Sequence, residues 1–579
     1  MSANSRITQA DFARLIAKTD MRVVANLVKT HGKAAARDYV RANFAKLAKD
    51  ATTAGITTGL GLNFIDLRAP AYMLNPVWTP IRNTTPRWDK VNAGYGVQPT
   101  WKAVTSLNAS GQFPGVSEGN TNSNGSFTEK DYSRPYVTLG TDDFVTYEGI
   151  SAAEGYEDTL GDGKMWQLLR FMILQEATYI GGASAGSNGD VTSLQLGTTN
   201  TPAGVLSALN NAKFVTGVLP VGSYAAAYAV ALNYRAATNP VNTVANGIVT
   251  QYLRSNADGS SDVINGGTAI VSAASNVVGP TVTGTKTIQF SCTPQAGAWG
   301  YAWFVEINTT ETFSPSPALA KLTAITPSST VNIYGQTQGT QTAAFSGLYG
   351  YAGFATDLST NSLDQDGLLT IASNSTYTTG LPIATFAINS FGTALAGGWD
   401  NHGAGLTNGG MVGSIDEIDQ ILFGIQQAAL TSPTRIYLST DQVDGFTKAF
   451  MEGSTTGSTI NFFKDMGSAG GVEDENIVTR YFNRYALGNG AWIEVIQHPS
   501  LPYGTILFDV TTLGPAYDNS RMGETRGVFV RRDTYGIEFA QTSRKYPFGV
   551  FSEEVLAVKT PNILAYIKGL GPFGQANLF

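Results

Sequence analysis

The chain has 579 residues, a length that predicts three or four structural units and not one hydrophobic core. Charged residues are only 14% of it, while 64 glycines and 11% aromatic residues are typical of a β-rich, turn-rich protein, which excludes a disordered chain and a coiled coil. The net charge of −7 excludes an overall attraction to nucleic acid, and the single cysteine, Cys292, excludes an intramolecular disulfide and a cysteine-built metal cluster.

The first 50 residues are basic, in contrast to the rest of the chain. They hold ten Lys or Arg against four Asp, a local net charge of +6. Thr8 and Asp11 resemble a helix start, and apolar residues follow at helical spacing, namely Phe12, Leu15, Ile16, Val23, Val24 and Leu27. The pattern predicts one or two basic amphipathic helices, which either present a solvated face or form an arm that reaches a neighbouring subunit or nucleic acid.

Two classes of targeting segment are not expected. The N-terminus lacks the apolar stretch of a signal peptide, and no window approaches eighteen consecutive apolar residues. We expect a protein that is soluble and cytoplasmic at synthesis.

A long two-stranded projection is predicted next. Turn-forming residues are dense over residues 111–134, and β-prone runs flank them at Trp101–Leu107 and Pro135–Tyr147. A projecting hairpin of this kind usually contacts a partner.

A helix and a β-rich region follow. The helix is predicted from about Lys164 to Ile180, with an apolar stripe, and it ends at Gly181–Gly182. Residues 190–355 then have β composition, which predicts a sandwich with Cys292 as a small core residue. Its apolar runs are Val215–Asn233, Val263–Ala274, Lys286–Cys292 and Trp299–Asn308.

The remainder predicts an α+β unit and then a series of strands. A helix over Ser414–Thr431 carries the capping-box pattern, with Ser414 as N-cap and Glu417 three residues on. A strand at Thr434–Ser439 and a helix at Asp441–Phe450 follow it. The strands of the last ninety residues are predicted at Trp492–Gln497, Thr505–Asp509, Val528–Arg531 and Phe548–Ala557.

Short motifs of the sequence give little support to catalysis. Ser184 lies in a G-x-S-x-G pattern, but the pattern follows a helix, whereas a nucleophile elbow follows a strand, so helix termination is the favoured interpretation. The three histidines, His31, His402 and His498, are far apart and do not predict a zinc site; His402 is interpreted as a loop residue.

Other candidate motifs are interpreted as turns or as chance. The Asp364–Gly367 and Asn256–Gly259 stretches lack the remaining ligands of a calcium loop, and Gly279–Lys286 misses the phosphate-binding loop by one residue. Glu553–Glu554 is one of many acidic pairs. We therefore predict no catalytic, cofactor-binding or metal-binding residue, and no enzyme.

The order of elements resembles the major capsid proteins of tailed bacteriophages, which have the Hong-Kong-97-type fold. The stretches that carry the resemblance are Thr79–Asn83 with Pro86–Arg87, Gly115–Gly119, Trp166–Gly182, Asp366–Leu369, Ser414–Thr440 and Tyr546–Leu570. The resemblance implies an α+β fold with an N-arm, an E-loop, a P domain with its spine helix and an A domain. The segment between residues 190 and 355 looks like an inserted immunoglobulin-like or fibronectin-type-III-like domain.

The resemblance also implies domain boundaries. They are an N-terminal arm at 1–75, an E-loop region at 76–148, the spine helix of the P domain at 149–190, the insertion at 191–355, an A domain at 356–490, and P-domain strands with a closing segment at 491–579.

The implied function is structural. Such a protein self-assembles into hexamers and pentamers of an icosahedral head around double-stranded DNA, with the insertion on the outer surface. Scaffold, portal and cement proteins are possible partners, no membrane is involved, and the location is the virion, after assembly in the host cytoplasm. Some relatives form an isopeptide cross-link from an E-loop lysine; Lys130 is the one lysine of residues 111–134, and we predict no cross-link.

An alternative is a monomeric phage tail or adhesion protein. Its β-sandwich would bind a surface carbohydrate through Trp299, Tyr301 or Trp303. Strand alternation places most of these rings in a core, which weighs against this alternative. A shell protein forms very large particles and a binder stays small, and deletion of residues 195–355 should leave assembly intact if the insertion is a separate display domain.

Overall fold

The structure is a computed structural model of the full chain. It describes residues 77–88, 96–107, 114–122, 125–153, 158–207, 219–256, 259–282, 287–333 except 311 and 318, 353–383, 386, 392–410, 413–451, 478–488, 490–518, 523–541 and 543–571. The predicted basic helices of residues 1–50 lie outside the described residues.

The described helices and strands alternate irregularly along the chain, as an α+β protein requires. The helices are α1 (Pro80–Thr84), α2 (Tyr147–Ala153), α3 (Thr159–Gly181), α4 (Tyr234–Ala237), α5 (Leu368–Ser373), α6 (Ser375–Thr378), α7 (Asp416–Ala429) and α8 (Gln442–Met451). The strands to residue 333 are β1 (Arg87–Trp88), β2 (Thr100–Ser106), β3 (Thr128–Ser133), β4 (Val137–Thr146), β5 (Ala203–Ser207), β6 (Tyr224–Leu232), β7 (Gln251–Ser255), β8 (Ser261–Asn265), β9 (Thr287–Ser291), β10 (Gly300–Asn308), β11 (Lys321–Thr326) and β12 (Thr330–Ile333). The later strands are β13 (Thr393–Leu395), β14 (Gly398–Asp400), β15 (Arg435–Leu438), β16 (Arg480–Asn483), β17 (Ala491–Gln497), β18 (Ile506–Asp509), β19 (Arg526–Glu538), β20 (Lys545–Val558) and β21 (Ala565–Lys568).

The chain divides into two compact units. The smaller one contains, among described residues, parts of Asp142–Gln167 and Glu538–Phe548. The larger one is made of Val77–Thr141, Leu168–Ile537 and Gly549–Phe579. The units do not follow the six domains expected from the sequence.

The smaller unit is held by aromatic and charged contacts at one end of β4. Tyr147 stacks on Tyr546 with ring centroids 6.3 Å apart. The Lys545 ammonium lies 3.9 Å from the centroid of the Phe144 ring, a cation–π contact. Arg544 and Glu148 form an exposed ion pair at 2.5 Å.

A seven-stranded mixed sheet organises part of the larger unit. Its strand order is β13-β14-β21-β18-β15-β17-β16. Apolar residues of α7 and α8, among them Ile418, Ile425 and Phe446, share a buried cluster with residues of this sheet. The helix, strand and helix predicted between residues 414 and 450 are confirmed. The sheet also includes β17, β18 and β21, so it crosses the boundary expected at residue 490.

The predicted capping box of α7 is wrong. The N-cap is Ile415, which offers no side-chain oxygen. The Ser414 hydroxyl donates instead to the Asp419 carboxylate at 2.6 Å, and the Glu417 carboxylate accepts from the amide of Thr407. Ser414 therefore bonds to a side chain of the first turn, and Glu417 to the backbone of the preceding loop, and neither side chain caps a helix amide.

Strands of the predicted insertion form two three-stranded sheets. Their orders are β11-β10-β6 and β12-β9-β5, and side chains from both sheets share one buried cluster. The cluster contains Phe290 and Trp303, and Cys292, which is free and buried, belongs to it as predicted. Residues 266–274 are not a strand, in contrast to the run predicted over Val263–Ala274.

The central strand of this region is buried on both faces. Tyr301 and Trp303 of β10 face the cluster between the two sheets, whereas Phe304 belongs to a second cluster with Leu322 and Phe354. A strand that is buried on both sides reads as a continuous apolar run. The region is therefore covered on both sides of its β11-β10-β6 sheet.

The predicted hairpin has a different pairing. The partner of β2 is β3, in an antiparallel register that sets Trp101 opposite Tyr132. The run predicted as the second strand forms β4 instead, in a sheet of order β1-β19-β20-β4. The prediction was wrong because the turn-rich stretch itself contains the short strand β3, which has polar residues on its exposed face.

Candidate assembly surfaces

The β2–β3 hairpin is anchored at its base. Trp101 and Tyr132 are buried and stack with ring centroids 5.8 Å apart. The Lys130 ammonium donates to the carbonyl oxygens of Thr376 and Thr379, and burial lowers the pKa of Lys130. These contacts fix the orientation of the hairpin against α6.

The outer half of the hairpin exposes apolar side chains to solvent. Val104 is 54% exposed, and Leu107 and Phe127 are also exposed. Large apolar side chains at the end of a two-stranded hairpin have no hydrophobic core to pack into. They are typical of a surface that becomes buried against a partner.

Helix α3 buries a mixture of polar and apolar side chains and exposes several other apolar ones. Its buried positions include Gln167, Gln175 and Glu176, each 1% exposed. Its exposed positions include Met165, Trp166, Leu168, Ile173 and Leu174. The predicted helix and its glycine end are confirmed. Phe171, Tyr179 and Ile180 are buried beside the polar residues, whereas part of the predicted apolar stripe is exposed.

The buried polar residues of α3 bind neighbouring elements. Glu176 accepts hydrogen bonds from the backbone amides of Ile81 at 2.9 Å and Arg82 at 2.6 Å. Its Oε1 atom also lies 2.7 Å from Nε2 of the buried His498. A single carboxylate thus joins α1, α3 and the segment after β17.

A second buried carboxylate accepts hydrogen bonds from the same helix. Glu554 of β20 accepts from the Gln175 amide at 2.5 Å and from the Tyr179 hydroxyl at 2.7 Å. The Ser552 hydroxyl donates to its other oxygen at 2.6 Å. Glu554, from the acidic pair Glu553–Glu554 noted in the sequence, is therefore a buried acceptor of hydrogen bonds.

The turn predicted at Asp364–Gly367 is the centre of a buried ion-pair network. Asp366 accepts from Arg134 at 2.7 Å and from the Tyr377 hydroxyl at 2.6 Å. Its other oxygen accepts from the backbone amide of Ser184. The Ser184 hydroxyl itself donates to the carbonyl of Ala185 at 3.4 Å.

A buried lysine joins the loop before β10 to the seven-stranded sheet. The Lys568 ammonium donates to the carbonyl oxygens of Gln295 at 2.5 Å and Ala298 at 2.7 Å, and it lies 3.9 Å from Asp400. Burial lowers the pKa of Lys568 to about 8, an effect that Asp400 opposes in part. Trp299 packs edge-on against Tyr566 beside it, with ring centroids 4.9 Å apart.

His402 makes a second connection at this junction. Its two ring nitrogens lie 2.9 Å from the Ser329 hydroxyl and 2.8 Å from the Thr393 hydroxyl. Its backbone has a positive φ of 51°, which fits the predicted loop. The residue positions the turn between β11 and β12 against the sheet.

The rings proposed for carbohydrate binding are not at the surface. Trp299, Tyr301 and Trp303 are each at most 2% exposed. The alternative function that relied on them therefore loses its binding face. His31 and Lys286 lie outside the described residues.

One cavity of about 350 Å³ opens near the end of α3. Its lining includes Arg235 and Asp364, which pair at 3.1 Å, and Arg254, which pairs with Asp262 at 2.5 Å. The two arginines are thus already neutralised within the protein.

The described part of the chain lacks two further features. Within it, no group of three or more His, Cys, Asp or Glu side chains is arranged to hold a metal ion. None of its helices combines the length and the apolar character needed to cross a bilayer.

Comparisons with known proteins gave structural likenesses only. No family model and no curated protein matches the chain. The capsid of Myoviridae phage XM1 is similar over 89% of this chain and 100% of that chain, at 8% identity and a TM-score of 0.32. The capsid of cyanophage P-SCSP1u is similar over 90% and 97%, at 7% identity and a TM-score of 0.35. A virus-like particle from Pyrococcus furiosus matches 26% of this chain and 46% of that chain, at 12% identity and a TM-score of 0.15.

Proposed function

We propose that this protein is a structural subunit that self-assembles into the shell of a phage head. The observation that carries the proposal is the set of exposed apolar residues on helix α3, which are Met165, Trp166, Leu168, Ile173 and Leu174, although Phe171, Tyr179 and Ile180 of the same helix are buried. A helix of a stable monomer normally keeps polar residues on the side that faces solvent. The exposed apolar residues therefore fit a subunit that completes its burial by association.

The hairpin supports the same proposal. Its base is fixed by buried aromatic contacts, while Val104 and Phe127 project apolar surface into solvent. Monomeric proteins rarely keep extended apolar patches exposed, and interface cores are depleted in charge. The chain is 14% charged, which suits a subunit with much of its surface in contact with copies of itself.

The finer architecture follows from the resemblance stated for the sequence. Subunits would form hexamers and pentamers of an icosahedral head around double-stranded DNA, and the inserted β-region would be displayed outside. Scaffold, portal and cement proteins are candidate partners. The protein would be a virion component that assembles in the host cytoplasm and has no enzymatic role.

Assembly can be tested by electron microscopy. The protein, expressed alone and with its neighbouring genes, should give uniform polyhedral particles or capsomer rings by negative stain and very large species by light scattering. A stable monomer in both preparations would contradict the proposal and favour a small surface-binding protein.

A matched pair of variants tests the role of the hairpin. Val104→Asp should abolish particle formation, because it places a charge on the surface that becomes buried in the assembly. Val263→Asp, at a position that is 47% exposed on a hairpin of the inserted region, should leave particles unchanged. Both variants should keep the thermal stability of the free subunit, and equal particle yields would contradict the assignment.

A further inference from the structure

Strand β6 is the last strand on one side of the β11-β10-β6 sheet, so one row of its backbone groups points away from β10. The row belongs to four alternate residues that are all fully buried, namely Ala225, Ala227, Ala229 and Ala231. An unpaired buried amide or carbonyl costs free energy, and an open strand edge can take up a strand of another chain. The partners of this row therefore decide whether the edge is open or closed.

The partners come mainly from residues 272–278, which belong to none of the strands described above. Every third residue of this segment pairs with every second residue of β6. The bonds run from the backbone amides of Ser272, Ser275 and Val278 to the carbonyl oxygens of Ala229, Ala227 and Ala225, each at 2.9 Å. The segment therefore follows the edge of β6 without itself being a strand.

Two serine hydroxyls act as acceptors where a neighbouring strand would offer carbonyl oxygens. The amide of Ala229 donates to the Ser272 hydroxyl, and the amide of Ala227 donates to the Ser275 hydroxyl, both at 2.9 Å. Each hydroxyl donates in turn to the carbonyl of the residue that follows it. Because both serines are buried, a strand of another chain could bond to these amides only after the serines had moved away.

The two ends of the row are paired as well. The amide of Ala225 donates to the carbonyl of Val278 at 2.9 Å. At the other end, Ala231 donates to the Thr199 hydroxyl and accepts from the amide of Ala269, both at 2.9 Å. Every amide and carbonyl of the row therefore has a partner within the chain.

The same segment also reaches the neighbouring sheet, in which β5 is the edge strand of the order β12-β9-β5. The Asn276 side chain accepts from the amide of Gly204 at 2.8 Å and donates to the carbonyl of Gly204 at 3.0 Å. A Cβ atom at position 204 would lie 2.5 Å from Cγ2 of Val278, so glycine permits this close approach. One segment therefore contacts the edges of both sheets.

We propose that residues 272–278 are a strap that closes the edges of β6 and β5 against strand addition by a second copy of this chain. A second copy fits the edge of β6 because two identical strands in antiparallel order place amides opposite carbonyls in both directions, as a two-fold axis requires. The strap acts on the free subunit. The proposal therefore does not depend on the proposed function, since a protein that builds no shell has the same edges to close.

Removal of the two hydroxyl acceptors tests the strap. Ser272→Ala with Ser275→Ala leaves the amides of Ala227 and Ala229 without acceptors, so in dilute solution their hydrogen exchange should be at least about tenfold faster than in the unaltered protein. In concentrated solution this variant should form oligomers beyond those of the unaltered protein, measured by sedimentation velocity. Exchange over residues 225–231 should be slow again in these oligomers, because the edges then pair with each other.

Val331→Ala is the matched control. It removes volume from the same buried cluster but none of the hydrogen bonds of the strap, so it should lower the melting temperature and leave the size distribution unchanged. Three results would overturn the proposal: equal oligomer formation by this control, an unchanged size distribution of the serine variant, or oligomers in which residues 225–231 still exchange fast.

A milder variant provides the test if the serine variant does not fold. Asn276→Ala removes both side-chain bonds to Gly204 at an exposed position, so the buried cluster stays intact. Exchange at the Gly204 amide should be at least about tenfold faster, and concentrated solutions should again contain additional oligomers. Asn246→Ala, at another exposed asparagine, should change neither quantity.

Each result of this second test has one meaning. Unchanged exchange at Gly204 would show that Asn276 does not hold the edge, and fast exchange without additional oligomers would show that an open edge does not take up a second copy. Either result would overturn the proposal. Particle formation is not a readout here, so failure of the strap and failure of the proposed function are separate outcomes.

Discussion

Asp366 shows how much of the interior depends on single charged residues. It receives hydrogen bonds from Arg134, Tyr377 and the Ser184 amide within the larger unit, and both charged partners are almost fully buried. A buried ion pair contributes little compared with an apolar pair of the same shape, but the loss of one partner leaves a buried charge uncompensated. The residue therefore connects β3 and its neighbouring turn to α5 and α6.

The first prediction concerns this ion pair. Asp366→Asn should destabilise the protein by about 3–5 kcal/mol, because Arg134 keeps its charge in the interior without a counterion. The matched control is Asp262→Asn, which removes an exposed ion pair with Arg254 and should cost at most about 1 kcal/mol. Chemical denaturation of both variants provides the measurement, and equal costs would show that the Asp366 pair is solvated.

The second prediction concerns Lys568. Its pKa falls from 10.5 to about 8 on folding, so between these pH values the unfolded chain binds more protons than the folded one. The contribution of this residue to stability therefore rises as the pH increases from 8 to 10.5, by roughly 3 kcal/mol at most, and it is constant below 8. Burial also raises the pKa of several tyrosines, such as Tyr234 and Tyr566, and their titration makes stability depend on pH as well. The contribution of Lys568 must therefore be isolated with a variant.

The measurement is a pair of stability curves from pH 7 to 10.5. Lys568→Met removes the titrating group, and the difference in unfolding free energy between wild type and variant should grow in favour of wild type across this window. A difference that stays constant with pH would mean that the lysine keeps its ordinary pKa in the folded protein.

Elements of this fold are placed by polar residues that face inward. Helix α3 is the example, because its carboxylate Glu176 holds α1 through two backbone amides and contacts His498. The helix was evident from its spacing, and its orientation was not. Its buried side combines the polar residues Gln175 and Glu176 with the apolar residues Phe171 and Tyr179, so the partners of the polar groups, and not apolar spacing alone, decide which side is buried.

The third prediction follows for this helix. Glu176→Ala should destabilise the protein by about 3 kcal/mol or more and should speed hydrogen exchange at the amides of Ile81 and Arg82, which lose their acceptor. Arg170→Ala, at an exposed position of the same helix, should change stability by no more than about 0.5 kcal/mol. Unchanged exchange over residues 80–85 in the Glu176 variant would contradict this anchoring role.

At the scale of the whole molecule, the region predicted as an insertion belongs to the larger unit. Trp299 and Tyr234 belong to the same buried cluster as Tyr566 and Leu501, and Lys568 bonds to the carbonyl groups of Gln295 and Ala298. An inserted domain that is only displayed would share little core with its host. The region is attached through a buried and hydrogen-bonded interface.

The fourth prediction is therefore cooperative unfolding. Calorimetry of the free subunit should show no separate transition for residues 191–355, because the shared cluster couples their unfolding to that of the sheet. Deletion of residues 195–355 should lower the melting temperature of the remainder, because it exposes Tyr566 and removes both carbonyl acceptors of Lys568. An independent transition, or a deletion variant with an unchanged melting temperature, would instead support the interpretation that this region is a separate display domain.

The sequence by itself determined the elements whose signal is local. The helix near 164–180, the two helices and strand between 414 and 450, the strand around 224–232 and the core position of Cys292 follow from periodicity and apolar runs, which depend on neighbours in the chain. The absence of a disulfide follows from composition alone.

Only the tertiary structure decided which surfaces meet. It paired β2 with β3 and placed β4 in another sheet, buried Gln175 and Glu176 of α3 among apolar residues, and formed contacts to Asp419 and Thr407 in place of the capping box of α7. It also brought Lys568 to Gln295, 273 residues away in sequence. These outcomes depend on long-range partners that satisfy buried polar groups, and a local pattern carries no information about which distant residue will be that partner.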